Sequence, residues 1–288
     1  MDARHRASSA DRAPRAATTG ADVVPAAPTS AGLAAFGGGA IIGTLGGLIG
    51  LGGAEFRLPL LIGPFRFHAL EAVILNKAMS LVVVATALPF RARSVPFDVL
   101  VSHWSIVANL LAGSLFGAWF GAGYATRLKS SSLYRVIAVL LVGISLVLLL
   151  GHGADEQAQP LLTGPAQVIT GIGAGLVIGV VASILGVAGG ELLIPTLVLL
   201  FGADIKLAGS LSLAVSLPTV FVGFTRYSRD RSFSVLGRNL RFVVTMAAGS
   251  IAGAFVGGRL LGVVPHGLLL PLLSAILLAS AVKVWRHR

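Results

Sequence analysis

Eight long apolar stretches alternate with short polar ones along most of this chain. By pattern they run near Leu33–Ile62, Ala69–Phe90, Val101–Tyr124, Leu133–Leu150, Val168–Phe201, Leu207–Phe224, Leu240–Leu261 and Leu268–Trp285. About 20 mostly apolar residues suffice for a helix to cross a bilayer, so the pattern predicts eight transmembrane helices and an all-α integral membrane protein. The first stretch is too long for one straight crossing and is expected to break near Gly52.

The breaks follow a repeated pattern. Gly50-Leu51-Gly52-Gly53-Ala54-Glu55-Phe56-Arg57-Leu58-Pro59 returns 136 residues later as Gly186-Val187-Ala188-Gly189-Gly190-Glu191-Leu192-Leu193-Ile194-Pro195. The same register pairs Gly39 with Gly175, Ser80 with Ser216, and Gly113-Ser114 with Gly249-Ser250. About two dozen identities fall in roughly 83 gap-free pairs, against about eight expected from composition, which predicts an internal duplication. The chain is thus read as a tail over 1–30, a first four-segment repeat over 31–151, a linker over 152–165 and a second four-segment repeat over 166–288. Whether the repeats are parallel or inverted depends on how many times each broken segment crosses. Gly113, Gly117 and Gly121, like Gly249, Gly253 and Gly257, share a helix face and are read as close-packing seams between the halves.

Composition agrees with a membrane setting: 55% of the 288 residues are hydrophobic and 11% charged, against about 25% charged in soluble domains. Mean hydropathy is +0.90. A formal charge of +11 would suggest nucleic acid in a soluble chain. Here Lys and Arg lie mostly between apolar runs, so they are read as orientation signals that place both termini in the cytoplasm. Arg57 is counted in that census with the loops of the opposite face. The first thirty residues lack the apolar core of a secretory signal and read as a disordered cytoplasmic tail. With no cysteine there is no disulfide or thiol chemistry. The histidines show no metal-ligand spacing, and no catalytic or nucleotide-binding motif appears. No enzyme activity, cofactor or metal is expected.

A glycine-rich break frees backbone groups that at membrane depth must line a cavity or meet protein. The helix restarting after each break aims its positive end at whatever lies there. Two such ends make an anion site, with Gly52, Gly53, Ala54, Gly189 and Gly190 as its backbone. Lys77, beside Asn76 in an apolar segment, would add positive charge and amide donors. Ser80, Ser212 and Ser216 would add hydroxyls. In the second half Ser212 and Leu213 stand opposite Asn76 and Lys77, so the site is asymmetric. Glu55 and Glu191, one in each first turn, are either helix-dipole caps or proton-carrying acids.

The doubled glycine motif with its prolines, together with Asn76-Lys77, resembles the sulfite exporter TauE/SafE family, also called the toluene-sulfonate uptake permeases. The resemblance spans roughly Gly32 to Trp285, with departures at Ala54 and Leu75. It implies a bacterial inner-membrane permease for small anions such as sulfite, sulfoacetate or other sulfonates. Its partners would be the anion and the bilayer, with protons as the candidate coupling ion, a homodimer as the candidate assembly, and no nucleic acid. An anion channel and a non-transporting membrane scaffold are the competing functions.

Overall fold

The computed structural model describes residues 29–49, 53–91, 97–150, 160–260 and 266–286. Gly52, most of the tail and most of the linker therefore lie outside the described residues. All regular structure among those described is helical. The helices are α1 (Thr29–Ile49), α2 (Ala54–Ile62), α3 (Ala69–Arg91), α4 (Phe97–Ser102), α5 (Trp104–Ala125), α6 (Ser130–Leu150), α7 (Gly164–Leu185), α8 (Gly190–Phe201), α9 (Ile205–Tyr227), α10 (Ser234–Arg238), α11 (Leu240–Leu260) and α12 (His266–Arg286). A 3-10 turn, Arg231–Phe233, leads into α10. Five are long and apolar enough to cross a membrane: α3, α5, α7, α9 and α11. Shorter apolar windows lie in α1, α6 and α8.

Each long sequence stretch that contains a glycine cluster is two helices. α7 ends at Gly186, whose φ of 68° is left-handed. Val187 N–H reaches back to Ala182 O at 2.9 Å, the wrap that closes a helix end on glycine. Gly189, with φ 84°, precedes α8. Gly53, with φ 67°, precedes α2, and a Cβ there would meet Ile42 O. Pro59 and Pro195 sit inside α2 and α8. Each lacks the N–H that would bond the carbonyl four residues back, which is that of Glu55 and of Glu191.

Boundaries in the second half follow those in the first at 136 residues: Ala69–Arg91 answers Ile205–Tyr227, and Ser130–Leu150 answers His266–Arg286. The helices of one half pack on the other. α1 runs along α11 and α5 along α7, both at backbone distance. Side chains added at Gly39 and Gly43 would strike the carbonyls of Met246 and Ser250, and at Gly249 and Gly253 those of Phe36 and Ala40. Gly113, Gly117 and Gly121 abut Ile172, Leu176 and Val180 in the same way. These are the close-approach seams that small residues permit in lipid, where no hydrophobic force drives helices together. α6 and α12 meet through a reciprocal clasp: Ser145 Oγ donates to Ser274 O at 3.0 Å and Ser274 Oγ to Ser145 O at 3.2 Å.

α3 and α9 form the centre, each with 67% of its apolar window buried, while the other three long helices bury half or less. The outer helices turn large apolar side chains outward, among them Phe116, Phe120, Ile169 and Val244. In lipid such exposure is the favoured state, whereas polar groups must be gathered inside. Glu55, Arg57, Asn76, Lys77 and Ser80 are all at or below 1% exposure.

Candidate functional site

The site begins with a backbone problem. The last four carbonyls of a helix have no partner within it, and α7 ends inside the molecule. One face of α3 supplies the donors. Asn76 Nδ2 donates to Leu185 O at 3.2 Å, and Ser80 Oγ to Gly186 O at 3.2 Å. Lys77 Nζ donates to Ala182 O at 3.2 Å and to Val187 O at 3.1 Å. Tyr227 from α9 completes the cap, its hydroxyl donating to Ser183 O at 2.9 Å. Residues 76, 77 and 80 fall on one side of a helix because 3.6 residues make a turn. A cation at a helix C-terminus also meets the negative end of its dipole.

That face of α3 reaches the first break too. The second hydrogen of Asn76 Nδ2 goes to Ala54 O at 2.9 Å, while its Oδ1 accepts from Arg57 Nε at 2.7 Å. Asn76 therefore ties the start of α2, the end of α7 and a guanidinium together with its full amide capacity. Arg57 reaches further. Nη2 donates to Ser80 Oγ at 2.9 Å, and Nη1 to Ser250 Oγ of α11 at 3.3 Å.

Arg57 is wholly buried, and its three hydrogen bonds go to neutral oxygens. It makes no ion pair among the described residues, in contrast to Arg238, which meets Glu71 at 3.2 Å near the surface. Among the described residues, three of the five guanidinium donors have partners, and two of the three on Lys77. An enclosed cation with no ion pair among the described residues suits an anion, because a buried charge without a close counter-charge is costly.

The two acids come together. The carboxyl groups of Glu55 and Glu191 approach closely enough to interact directly. Both are buried, and none of their four oxygens has a side-chain hydrogen-bond donor among the described residues. Ser212 is buried but donates to Gly209 O in its own helix at 2.8 Å. Ser216 Oγ is buried without a partner among the described residues. Gly190 opens α8, and Leu192 and Leu193 both donate back to Gly189 O at its start.

Arg57 is the residue the sequence placed wrongly. Counted with loop charges, it is the largest fully buried side chain of the molecule's described part. Its second-half counterpart is Leu193, so the doubled motif gave no signal for it; its place two residues after Glu55 in a short apolar helix did. Ser250 was read only as part of a packing seam.

This arrangement, apolar helices surrounding broken ones with buried charge between them, is that of a membrane transporter. The chain belongs to the TauE/SafE sulfite exporter family, whose model matches residues 35–284. It is similar to the probable membrane transporter protein YunE of Bacillus subtilis (strain 168), with 24% identity over 242 residues, covering 77% of this chain and 84% of that relative. No solved structure matches the chain.

Proposed function

We propose that the chain is a secondary transporter of small anions, with sulfite, sulfoacetate and other sulfonates as the substrate class. Transport would be coupled to protons, in a bacterial inner membrane with both termini cytoplasmic. One observation carries this reading: the buried guanidinium of Arg57 on the broken segment, whose hydrogen bonds among the described residues all go to neutral oxygens of α3 and α11. The free N–H groups at the starts of α2 and α8, around Gly53, Ala54, Gly189 and Gly190, add the positive ends of two helix dipoles. Lys77 adds charge from α3, and Ser80 and Ser216 add hydroxyls. A planar fork of N–H donors matches an oxyanion better than a point charge does.

In this reading the eight apolar segments all cross the bilayer as two related four-segment halves. α2 and α8 are half-helices hinged at left-handed glycines, and their movement would expose the site to one side and then the other. Removing Arg57 from the loop census strengthens the excess of basic residues on the face that holds the termini.

The test is anion-dependent thermal stabilisation of purified protein over sulfite, thiosulfate, sulfoacetate, taurine and simple carboxylates, followed by flux in proteoliposomes. Stabilisation approaching about 2.7 kcal/mol at a hundredfold excess over Kd, confined to sulfur oxyanions or sulfonates and absent from Arg57→Lys, supports the reading. Saturable flux marks a carrier, whereas ohmic conductance would make it a channel. A scaffold predicts that no anion stabilises the protein and none crosses.

A further inference from the structure

Glu55 and Glu191 present an unsolved account. Each extends from the first turn of a restarted helix, at 0% and 2% exposure. Among the described residues their four oxygens find no side-chain donor, yet the two groups reach one another. Ionised carboxylates only accept hydrogen bonds, and two in contact repel. A single proton between them turns that repulsion into a charge-assisted hydrogen bond. A metal ion is a poorer fit, since no group of three or more His, Asp or Glu is gathered among the described residues.

The surroundings favour one proton over two. Arg57 lies on the same helix, near enough for its charge to act on Glu55, and both carboxyls sit at positive helix ends. These favour one retained negative charge. The other titratable groups of the surrounding helices are turned to partners of their own, and α1 and α7 carry none over their described lengths. Lys77 of α3 points at the carbonyls of Ala182 and Val187. Tyr227 of α9 donates to Ser183 O. On α12, Lys283 lies by Gly63 beyond the far end of α2, and on α6 the Tyr134 hydroxyl meets Ala69 N.

We infer that Glu55 and Glu191 share one proton as a single unit, and that its gain and loss are linked to anion binding at Arg57; the linkage rests on the transport reading above. With the proton in place, the buried charges of the pair, Arg57 and Lys77 sum to +1. Without it they cancel, and the site loses its attraction for an anion. Anion and proton therefore bind together, one proton per cycle, and each strengthens the other reciprocally.

Infrared spectroscopy and anion titration on the full chain in lipid nanodiscs test the two parts separately. Near neutral pH the wild type should show the band of a buried protonated carboxyl. Both Glu55→Gln and Glu191→Gln should abolish it, because either amide leaves the other group as a plain carboxylate with a donor beside it. Absence of the band from wild type, or its survival in either variant, overturns the shared proton whatever the anion does. For linkage, an alkanesulfonate serves as probe because its own charge is fixed. Its Kd should fall about tenfold per unit of pH decrease across the titration of the pair. In Glu55→Gln, which fixes the pair at one negative charge, Kd should stay flat at the tight value. A Kd that is flat in wild type, or that keeps its slope in Glu55→Gln, overturns the linkage. The band behaving as expected while no sulfonate binds upholds the shared proton and overturns the anion reading.

Discussion

At the scale of single residues, the site is a division of labour among groups that look alike in sequence. Arg57 and Lys77 are both buried cations, but Lys77 spends two donors on the end of α7, while Arg57 leans on side chains that can yield. Arg57→Lys should fold, since an ammonium can still reach Asn76, yet lose anion stabilisation because the fork is gone. Lys77→Met should lower Tm without any anion, because Val187 O loses its side-chain donor, and should weaken the anion response, because the site loses one positive charge. A thermal melt with and without sulfite separates the two. Asn76→Ala should be the most damaging small change on α3, leaving Leu185 O without its side-chain donor and Arg57 Nε without its acceptor. Each such buried group costs about 1–3 kcal/mol, and a drop in Tm of several degrees should be seen. Sequence pointed to Asn76, Lys77 and Ser80 through one polar spot in an apolar run. It could not show that they grip the other half's backbone, because contacts 105 to 110 residues apart leave no local pattern.

At the scale of elements, glycines do two separate jobs. Gly186 and Gly53 provide left-handed turns, whereas Gly117 and Gly253 provide room. Gly186→Ala meets both a left-handed φ of 68° and the carbonyl of Val73, and should cost at least about 2 kcal/mol. Gly117→Leu should separate α5 from α7 and fail to give a stable protein. Gly143, with nothing within 4 Å of an added Cβ, is the control: Gly143→Ala should change stability little. Melting of the three variants in one detergent checks all of this. The broken helices and the seams were legible in sequence, because glycine spacing is itself the cause of each. The short α4 and α10 were not, since six and five residues carry too little periodicity to stand out beside a 22-residue neighbour such as α5.

At the scale of the whole molecule, helices of one half are packed against those of the other, and their boundaries match at a fixed offset. The duplication and the eight crossings remain proposals, and topology tests them. The chain has no cysteine, so single cysteines can be placed without background. Ser8→Cys and Arg288→Cys should both resist a membrane-impermeant thiol reagent in intact cells and react after permeabilisation. Opposite behaviour of the two would mean an odd number of crossings. Arg226 and Arg229 stack on Trp119 at 5.4 and 4.9 Å, a basic and aromatic patch of the kind found where helices leave the bilayer.

The grip of α3 on α7 also has a consequence for synthesis. Lys77 and Asn76 leave the ribosome about a hundred residues before the carbonyls they bind. Until α7 arrives, the membrane must hold the Lys77 ammonium without the two carbonyls it binds and Asn76 with one of its two amide hydrogens unplaced, and the end of α7 in turn lacks its side-chain donors until it meets α3. A chain truncated ahead of α7 should then be handed to the quality-control proteases, while the two halves made as separate polypeptides in one cell should rescue each other. The order of insertion, as much as the final packing, is written into that one polar face.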